Sequence, residues 1–101
     1  MLRITLDQKS DLARLKLDGK IIGPWVNELK VSWSDLKKSN PGQPVVVDLT
    51  DVTFVDADGR DLLRSLFRQG ASLESRSLVT RFIIDRIQQE SNGSGTTRDR
   101  G

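Results

Sequence analysis

The chain begins with two short stretches in which apolar and polar side chains alternate. Residues 2–7 alternate in this way, residues 8–11 are polar, and the alternation returns over residues 14–17 before the Asp18-Gly19 pair. Such an alternation is typical of a strand that is buried on one face. Two such stretches around a polar turn predict an antiparallel hairpin at the start of the domain.

The strongest apolar run lies near the middle of the chain and ends in carboxylates. Three valines, residues 45–47, are followed by Asp48 and then by a mixture of apolar, acidic and hydroxyl residues up to Gly59. An unbroken apolar run predicts a central strand that is buried on both faces of a sheet. We expect residues 50–57 to form a loop at the carboxyl end of this strand, and we expect this loop to carry the function.

Three amphipathic helices are predicted around this strand. Gly23-Pro24 starts the first, because proline suits the first helical turn, and Asn40-Pro41-Gly42 ends it. The second ends at Gly70, which is placed to form a left-handed cap, and the third follows Ser77 as its candidate cap. The apolar stripes expected to be buried are Trp25 or Val26, Leu29, Trp33 and Leu36 in the first helix, Leu62, Leu63, Leu66 and Phe67 in the second, and Leu78, Val79, Phe82, Ile83 and Ile87 in the third.

The remaining segments complete the predicted fold. Residues 71–75 are expected to form a short edge strand with Leu73 as its apolar anchor. Residues 91–101 contain no apolar side chain and are expected to be a disordered C-terminal tail. The order is therefore ββαβαβα over residues 1–90, an α/β domain in which helices pack on a small mixed sheet of about four strands.

Composition excludes several classes of chemistry. The 101 residues include no cysteine and no histidine, which excludes disulfides, thiol nucleophiles, histidine general bases and thiolate or imidazole metal sites. No apolar run approaches the roughly 20 residues of a membrane span, and Met1-Leu2-Arg3 does not begin a signal peptide, so we expect a cytoplasmic protein. Lys and Arg exceed Asp and Glu only by 16 to 14, so charge alone does not imply a nucleic-acid partner.

The stretch from Val45 to Leu66 resembles the STAS domain, a family that includes the bacterial anti-sigma-factor antagonists. In order it contains a hydrophobic strand, the Asp-Leu-Thr of residues 48–50, the Val-Thr-Phe-Val-Asp of residues 52–56, and a small residue, a polar residue and Gly59 at the start of a helix. The Asp18-Gly19 turn and the helix that follows it fit the same pattern. The resemblance therefore covers about residues 2–90.

This resemblance implies a non-enzymatic binding module that needs no cofactor and no metal. In antagonists of this kind, the loop before the second helix and that helix dock onto an anti-sigma factor, which is also an ATP-dependent protein kinase. The kinase phosphorylates a serine or threonine at the start of the helix, and phosphorylation releases the partner. The partner-binding positions that the resemblance implies here are Phe54, Asp56, Ala57, Asp58, Gly59, Arg60, Arg64 and Arg68.

The chain departs from the family at the phosphorylation site. The family usually has Asp-Ser-Ser-Gly or Asp-Ser-Thr-Gly, whereas this chain has Asp56-Ala57-Asp58-Gly59, so the acceptor position carries Asp58 and no hydroxyl. Phosphoserine would bring a charge of about −1.5 to −2 and three acceptor oxygens, whereas aspartate brings one charge. Three interpretations stay open. Asp58 imitates the phosphorylated state with weak partner binding, the partner is adapted to a carboxylate, or Asp58 is only the N-cap of the helix.

Arg60, Arg64 and Arg68 recur every four residues along the second helix. This spacing places three like charges on one face, which destabilises a helix by about 0.2–0.5 kcal/mol per pair. Arg is favoured at interfaces because its planar group matches carboxylates and phosphates. The stripe is either a solvated face partly balanced by Asp61 or a contact for an acidic partner surface. We do not expect DNA binding, because this helix should pack beside a sheet edge.

Two enzymatic alternatives are weaker. Asp56-Ala57-Asp58-Gly59 superficially matches the Asp-x-Asp-Gly of haloacid-dehalogenase-like phosphatases, but Arg60 stands where that motif has threonine, and few residues follow. Asp48, Asp51 and Asp56 are the candidates for a weak magnesium site, with local hydrogen bonding as the alternative.

Among binding modules, the alternative is an accessory STAS subunit of a lipid-transport or stress-signalling complex. The sequence leaves open whether the protein forms a homodimer.

Overall fold

Four strands and three helices follow one another in the order that the sequence predicts. A computed structural model describes the backbone of residues 1–96 and the side chains of residues 1–90. In that part of the chain the elements are β1 (Leu2–Gln8), β2 (Ala13–Ile21), α1 (Pro24–Ser39), β3 (Val45–Val55), α2 (Ala57–Arg68), β4 (Ser72–Glu74) and α3 (Leu78–Thr96). The predicted α/β class and the ββαβαβα order are confirmed.

The four strands form one mixed sheet in the order β1-β2-β3-β4. β1 and β2 form the predicted antiparallel hairpin, and β3 lies parallel to both of its neighbours. Parallel neighbours need a long crossover connection, which α1 supplies between β2 and β3 and α2 supplies between β3 and β4. β4 is the predicted short edge strand, and its anchor Leu73 is buried.

Helices cover one face of the sheet, and the other face is polar. Val47 and Leu49 of β3 are fully buried, whereas Asp48 between them is only partly buried. The strand register places Asp48 between Lys16 of β2 and Glu74 of β4 on the polar face. The prediction that the central strand is buried on both faces therefore holds for residues 45–47 and is wrong from Asp48 onward, where charged neighbours replace a second helical layer.

The first two helices pack as their apolar stripes predict. Leu29, Trp33 and Leu36 of α1 and Leu63 and Leu66 of α2 are buried in one core with the strands. The indole Nε1 of Trp33 donates to Oε1 of Gln69 at 3.2 Å, which links α1 to the end of α2. Gly70 has a φ of 106°, the left-handed backbone that the sequence predicts after α2.

The predicted buried stripe of α3 is wrong at its beginning. Leu78, Val79 and Phe82 are 85%, 65% and 63% exposed, whereas Thr80 and Ile84 are buried. Ile87 is buried as predicted. The physical reason is a hydrogen bond, because the Thr80 hydroxyl donates to the carbonyl oxygen of Leu49 at 3.1 Å. A buried carbonyl without a partner would be costly. Satisfying it turns Thr80 inward and leaves the apolar side chains around it in solvent.

α3 extends past residue 90, where the sequence analysis places the end of the domain. Its backbone is helical to Thr96, so it includes six residues of the predicted tail, and residues 97–101 lie outside the described residues. The disorder of the tail and the boundary at residue 90 stay predictions. Among the helices that the structure describes, none combines the length and the apolar character that crossing a bilayer requires.

Candidate functional site

The predicted loop of residues 50–57 is instead the second half of a strand. β3 continues to Val55 and α2 begins at Ala57, so one residue joins them. β3 remains extended because it pairs with β2 as far as the Ile21 and Val55 partners, with two register irregularities along the way. The acidic and hydroxyl residues that suggest a loop, such as Asp51 and Thr53, are exposed positions of this strand.

Asp56, the connecting residue, is the N-cap of α2. Its Oδ1 accepts from the amide of Gly59 at 2.7 Å, and its Oδ2 accepts from the amide of Gly23 at 3.1 Å. Its own amide donates to the carbonyl oxygen of Ile21 at 3.1 Å. Because Gly23 precedes α1, one carboxylate joins the amino-terminal ends of two helices. The interpretation of Asp58 as the N-cap is therefore wrong.

Gly59 lies beneath the surface, in the first turn of α2. A Cβ at this position would stand 2.6 Å from the carbonyl oxygen of Ile21 and 2.8 Å from Cγ1 of Val55. The absence of a side chain thus allows α2 to begin in close contact with the ends of β2 and β3. Gly59 is buried and does not belong to an exposed partner-binding surface, so its predicted role is replaced by this packing role.

Four of the predicted partner-binding residues around this junction are exposed. Phe54, at the end of β3, is 54% exposed, and Ala57, Asp58 and Arg60 are exposed on the first turn of α2. The side chain of Asp58 makes no hydrogen bond and no ion pair with any side chain that the structure describes. We call these four residues the α2 start surface. It combines an apolar ring, a carboxylate and a guanidinium.

The predicted arginine stripe is divided by the contacts of its central member. The guanidinium of Arg64 donates to Asp61 at 2.8 Å and to Glu90 at 2.6 Å. These hydrogen bonds, first that of Glu90 and then that of Asp61, raise the pKa of Arg64. Arg64 therefore links α2 to α3, while Arg60 and Arg68 are exposed. The three guanidinium groups therefore do not form one uniform solvent-exposed stripe.

The three aspartates of the magnesium alternative do not converge. Asp48 lies within β3 and Asp56 directly follows it, about 25 Å further along an extended chain. Within residues 1–90 no three acidic side chains form a cluster suited to a metal ion. The alternative of local hydrogen bonding is confirmed for Asp48, whose Oδ1 accepts from the amide and the hydroxyl of Thr50 at 3.0 and 2.7 Å. Asp56 is bound to backbone amides in the same way.

A large cavity in the described part of the chain lies away from the α2 start surface. It is an open groove of about 940 Å³ between the polar face of the sheet and α3. In it Arg14 contacts Asp48 at 3.5 Å and Glu74 at 3.0 Å. The alternating charges of β2, together with Glu74, are the sequence signal for this groove.

The environment of Asp48 lowers the pKa of its carboxyl. Burial alone would raise this pKa, but the hydrogen bonds from Thr50 and the charges of Arg14 and Lys16 outweigh burial. A carboxyl whose pKa is lower in the folded than in the unfolded chain stabilises the fold above the unfolded-state value, about 3.9. That stabilisation is lost as the pH falls through the lowered folded-state pKa.

We expect Asp48→Asn to cost about 1 kcal/mol of unfolding free energy near neutral pH, because the variant loses charge-assisted hydrogen bonds. The difference from the native chain should shrink in acid, as the native carboxyl takes up its proton. Urea unfolding measured from about pH 7 down to about pH 2 tests this expectation. Asp51→Asn is the matched control, since Asp51 is exposed on the same strand. A difference that persists unchanged at the lowest pH would contradict the role given to Asp48.

Comparison with known proteins shows that this chain is similar in fold to several solved structures. No protein-family model matches the chain, and no curated protein is found to be similar. Similar solved structures are a crystal structure of Mglu (25% identity, TM-score 0.56) and one of Mglu in its native form (19%, 0.58). The matches cover 72% and 71% of this chain, which spans only 19% and 23% of those chains. The third is an uncharacterized protein of the DUF3478 family from Shewanella loihica PV-4, described as having a SpoIIAA-like fold. It is 11% identical, with a TM-score of 0.55, over 87% of this chain and 76% of that one.

Proposed function

We propose that this chain, which has the SpoIIAA-like fold of STAS domains and anti-sigma-factor antagonists, is a non-enzymatic regulatory module that acts in the cytoplasm. Its partner is a protein, an anti-sigma factor or a related kinase-type ATPase, and the contact is the α2 start surface. The predicted resemblance is confirmed at the level of the fold. The partner and the mode of regulation are the proposal.

This proposal rests on the exposure of the Asp58 side chain. Asp56 caps α2, so the carboxylate of Asp58 is left at the surface on the first helical turn. In the family that this chain resembles, this position holds the hydroxyl that is phosphorylated. A carboxylate there supplies a permanent single charge and cannot accept a phosphoryl group to form a stable ester. We therefore expect partner binding that does not respond to ATP.

Phe54 and Arg60 add an aromatic ring and a guanidinium group to the surface that carries the Asp58 carboxylate. An exposed aromatic ring can enter an apolar pocket of a partner, and aromatic and arginine side chains are enriched among residues that dominate interface energies. Asp58 then favours a partner that presents Lys or Arg opposite the first turn of α2. Opposite charges also stabilise this helix end, because Asp58 lies near its positive pole.

Asp58→Ser should restore a phosphorylation switch that the native chain lacks. Kinase-type ATPases recovered by affinity capture with the native chain are incubated with ATP and with each variant, and phosphate is located by mass spectrometry. We expect phosphate at position 58 of the serine variant only, with partner affinity falling at least about tenfold when ATP is present. Asp61→Ser is the control, since it adds a hydroxyl one turn further along the same helix and should change neither result.

Three outcomes would count against the proposal. Phosphorylation of another Ser or Thr of the native chain, with release of the partner, would show that regulation does not pass through position 58. Unchanged affinity after Phe54→Ala and Asp58→Ala, in variants that remain folded, would remove the α2 start surface from the interface. Phosphate-ester turnover with magnesium, abolished by Asp56→Asn, would contradict a non-enzymatic role.

A further inference from the structure

The outer edge of β3 is unpaired beyond the end of β4. β2 pairs with β3 from Val45 to Val55, whereas β4 pairs only with Val46, Val47 and Asp48. The edge that faces away from β2 therefore has no strand beside it from residue 49 to residue 55, within the part of the chain that is described. At about 3.3 Å per residue, this free edge is roughly 20 Å long.

α3 and the residues just before it form hydrogen bonds only with the beginning of this edge. The Thr80 hydroxyl donates to the carbonyl oxygen of Leu49 at 3.1 Å, and the amide of Arg76 donates to the Thr50 hydroxyl at 3.0 Å. Beyond Thr50, no hydrogen bond from the described residues of α3 reaches β3. A cleft of about 460 Å³ lies there, lined by Asp18, Thr50, Asp51, Val52, Thr53, Ser77 and Val79.

The chemistry of the cleft favours an extended and basic segment. An unpaired strand edge offers backbone donors and acceptors in the spacing that another strand requires. Two carboxylates line the cleft, from Asp18 and Asp51, and no Lys or Arg does. These aspartates are direct register partners on neighbouring strands, an arrangement of like charges that destabilises a sheet. Val79, which is 65% exposed, adds an apolar wall from α3.

We propose that this cleft binds an extended, basic segment of a partner protein as an added strand beside residues 50–54 of β3. Backbone hydrogen bonds supply the affinity, the two aspartates select Lys or Arg side chains, and Val79 contacts an apolar residue between them. The site is separate from the first turn of α2 and does not depend on the nature of Asp58. The strand that the partner adds ends beside Phe54, so a single partner can reach both the cleft and the α2 start surface.

A blocked seven-residue peptide that alternates lysine with valine is the probe. Amide chemical shifts of the isotope-labelled native chain are followed during titration with this peptide. We expect shifts centred on residues 50–54 and Val79, and increased protection of these amides from hydrogen exchange. The same peptide with alternate backbone nitrogens methylated should bind at least about tenfold more weakly, because it loses two or more backbone hydrogen bonds.

A charge exchange tests the selection for basic segments. Asp51→Lys should weaken binding of the lysine peptide about tenfold and should favour a matched peptide of glutamate and valine. Asp11→Lys, which inverts an exposed charge in the β1–β2 turn, should change neither affinity. Equal binding of the methylated peptide, or no shift at residues 50–54 with peptide at about millimolar concentration, would overturn the proposal. Shifts at these amides that depend on protein concentration without peptide would assign the edge to a second copy of the chain instead.

Discussion

Gly59→Ala should destabilise the fold by about 2–3 kcal/mol, because it inserts a methyl group into a closely packed junction. The new Cβ would stand 2.6 Å from the carbonyl oxygen of Ile21, which is held in place by the amide of Asp56. Relief requires α2 to move away from the ends of β2 and β3. At an unconstrained helical position the same substitution stabilises by about 1 kcal/mol, so the close approach reverses the expected sign. Chemical denaturation of both chains measures the difference.

Gly42→Ala is the matched control for this substitution. Apart from its own residue and its two neighbours in the chain, no atom lies within 4 Å of a Cβ at position 42, which belongs to the turn between α1 and β3. We expect this variant to be as stable as the native chain or slightly more stable, because alanine restricts the unfolded chain. If Gly59→Ala were equally harmless, α2 would not begin against Ile21, and the position of Asp58 at the surface would lose its structural basis.

The order of elements could be predicted because local signals mark both the elements and their ends. The period of the apolar residues changes between residues 2–7 and α1, and Pro24 suits the first turn of the helix that it begins. Gly70 adopts the left-handed backbone after α2 that few other residues tolerate. These signals depend on neighbours in sequence, so one chain without a structure was enough to identify them.

The buried face of α3 could not be predicted from apolar spacing. The residues around Phe82 and those around Ile84 both recur at helical intervals, so the sequence allows two overlapping stripes. The choice depends on Thr80, a polar residue whose hydroxyl reaches the carbonyl of Leu49, 31 residues earlier. A hydrogen bond between distant segments produces no repeating pattern in the sequence. For this reason Leu78, Val79 and Phe82, which were expected in the core, lie at the surface, whereas Ile87 is buried as predicted.

The position of the junction between β3 and α2 could be predicted, but its local structure could not. The run of Asp and Thr after Asp48 has the composition of a loop, yet pairing with β2 holds it as a strand to Val55. The choice between Asp56 and Asp58 as the cap is likewise non-local. Either carboxylate can cap a helix, but only Asp56 also receives the amide of Gly23, 33 residues away. The position of α1 therefore determines which aspartate is left exposed.

Asp56→Ala should cost about 2–3 kcal/mol of unfolding free energy, because two backbone amides lose a charged acceptor and two helices lose their shared cap. Asp56→Asn should fall between alanine and the native chain. Its single carbonyl oxygen can accept from Gly59, the usual capping bond, while its amide group cannot accept from Gly23. Thermal and urea unfolding of the three chains measure this order.

Asp58→Ala is the control that distinguishes the loss of a helix cap from the loss of an exposed charge. It removes a carboxylate two residues further along, near the same helix pole, so we expect a loss of only about 0.3–0.5 kcal/mol, and less at high salt. Partner affinity should show the reverse order among variants that are folded, with Asp58→Ala the more damaging of the two. Equal losses of stability at both positions would mean that the two carboxylates share the capping of α2. Asp58 would then be held by the helix and would not be free to meet a partner.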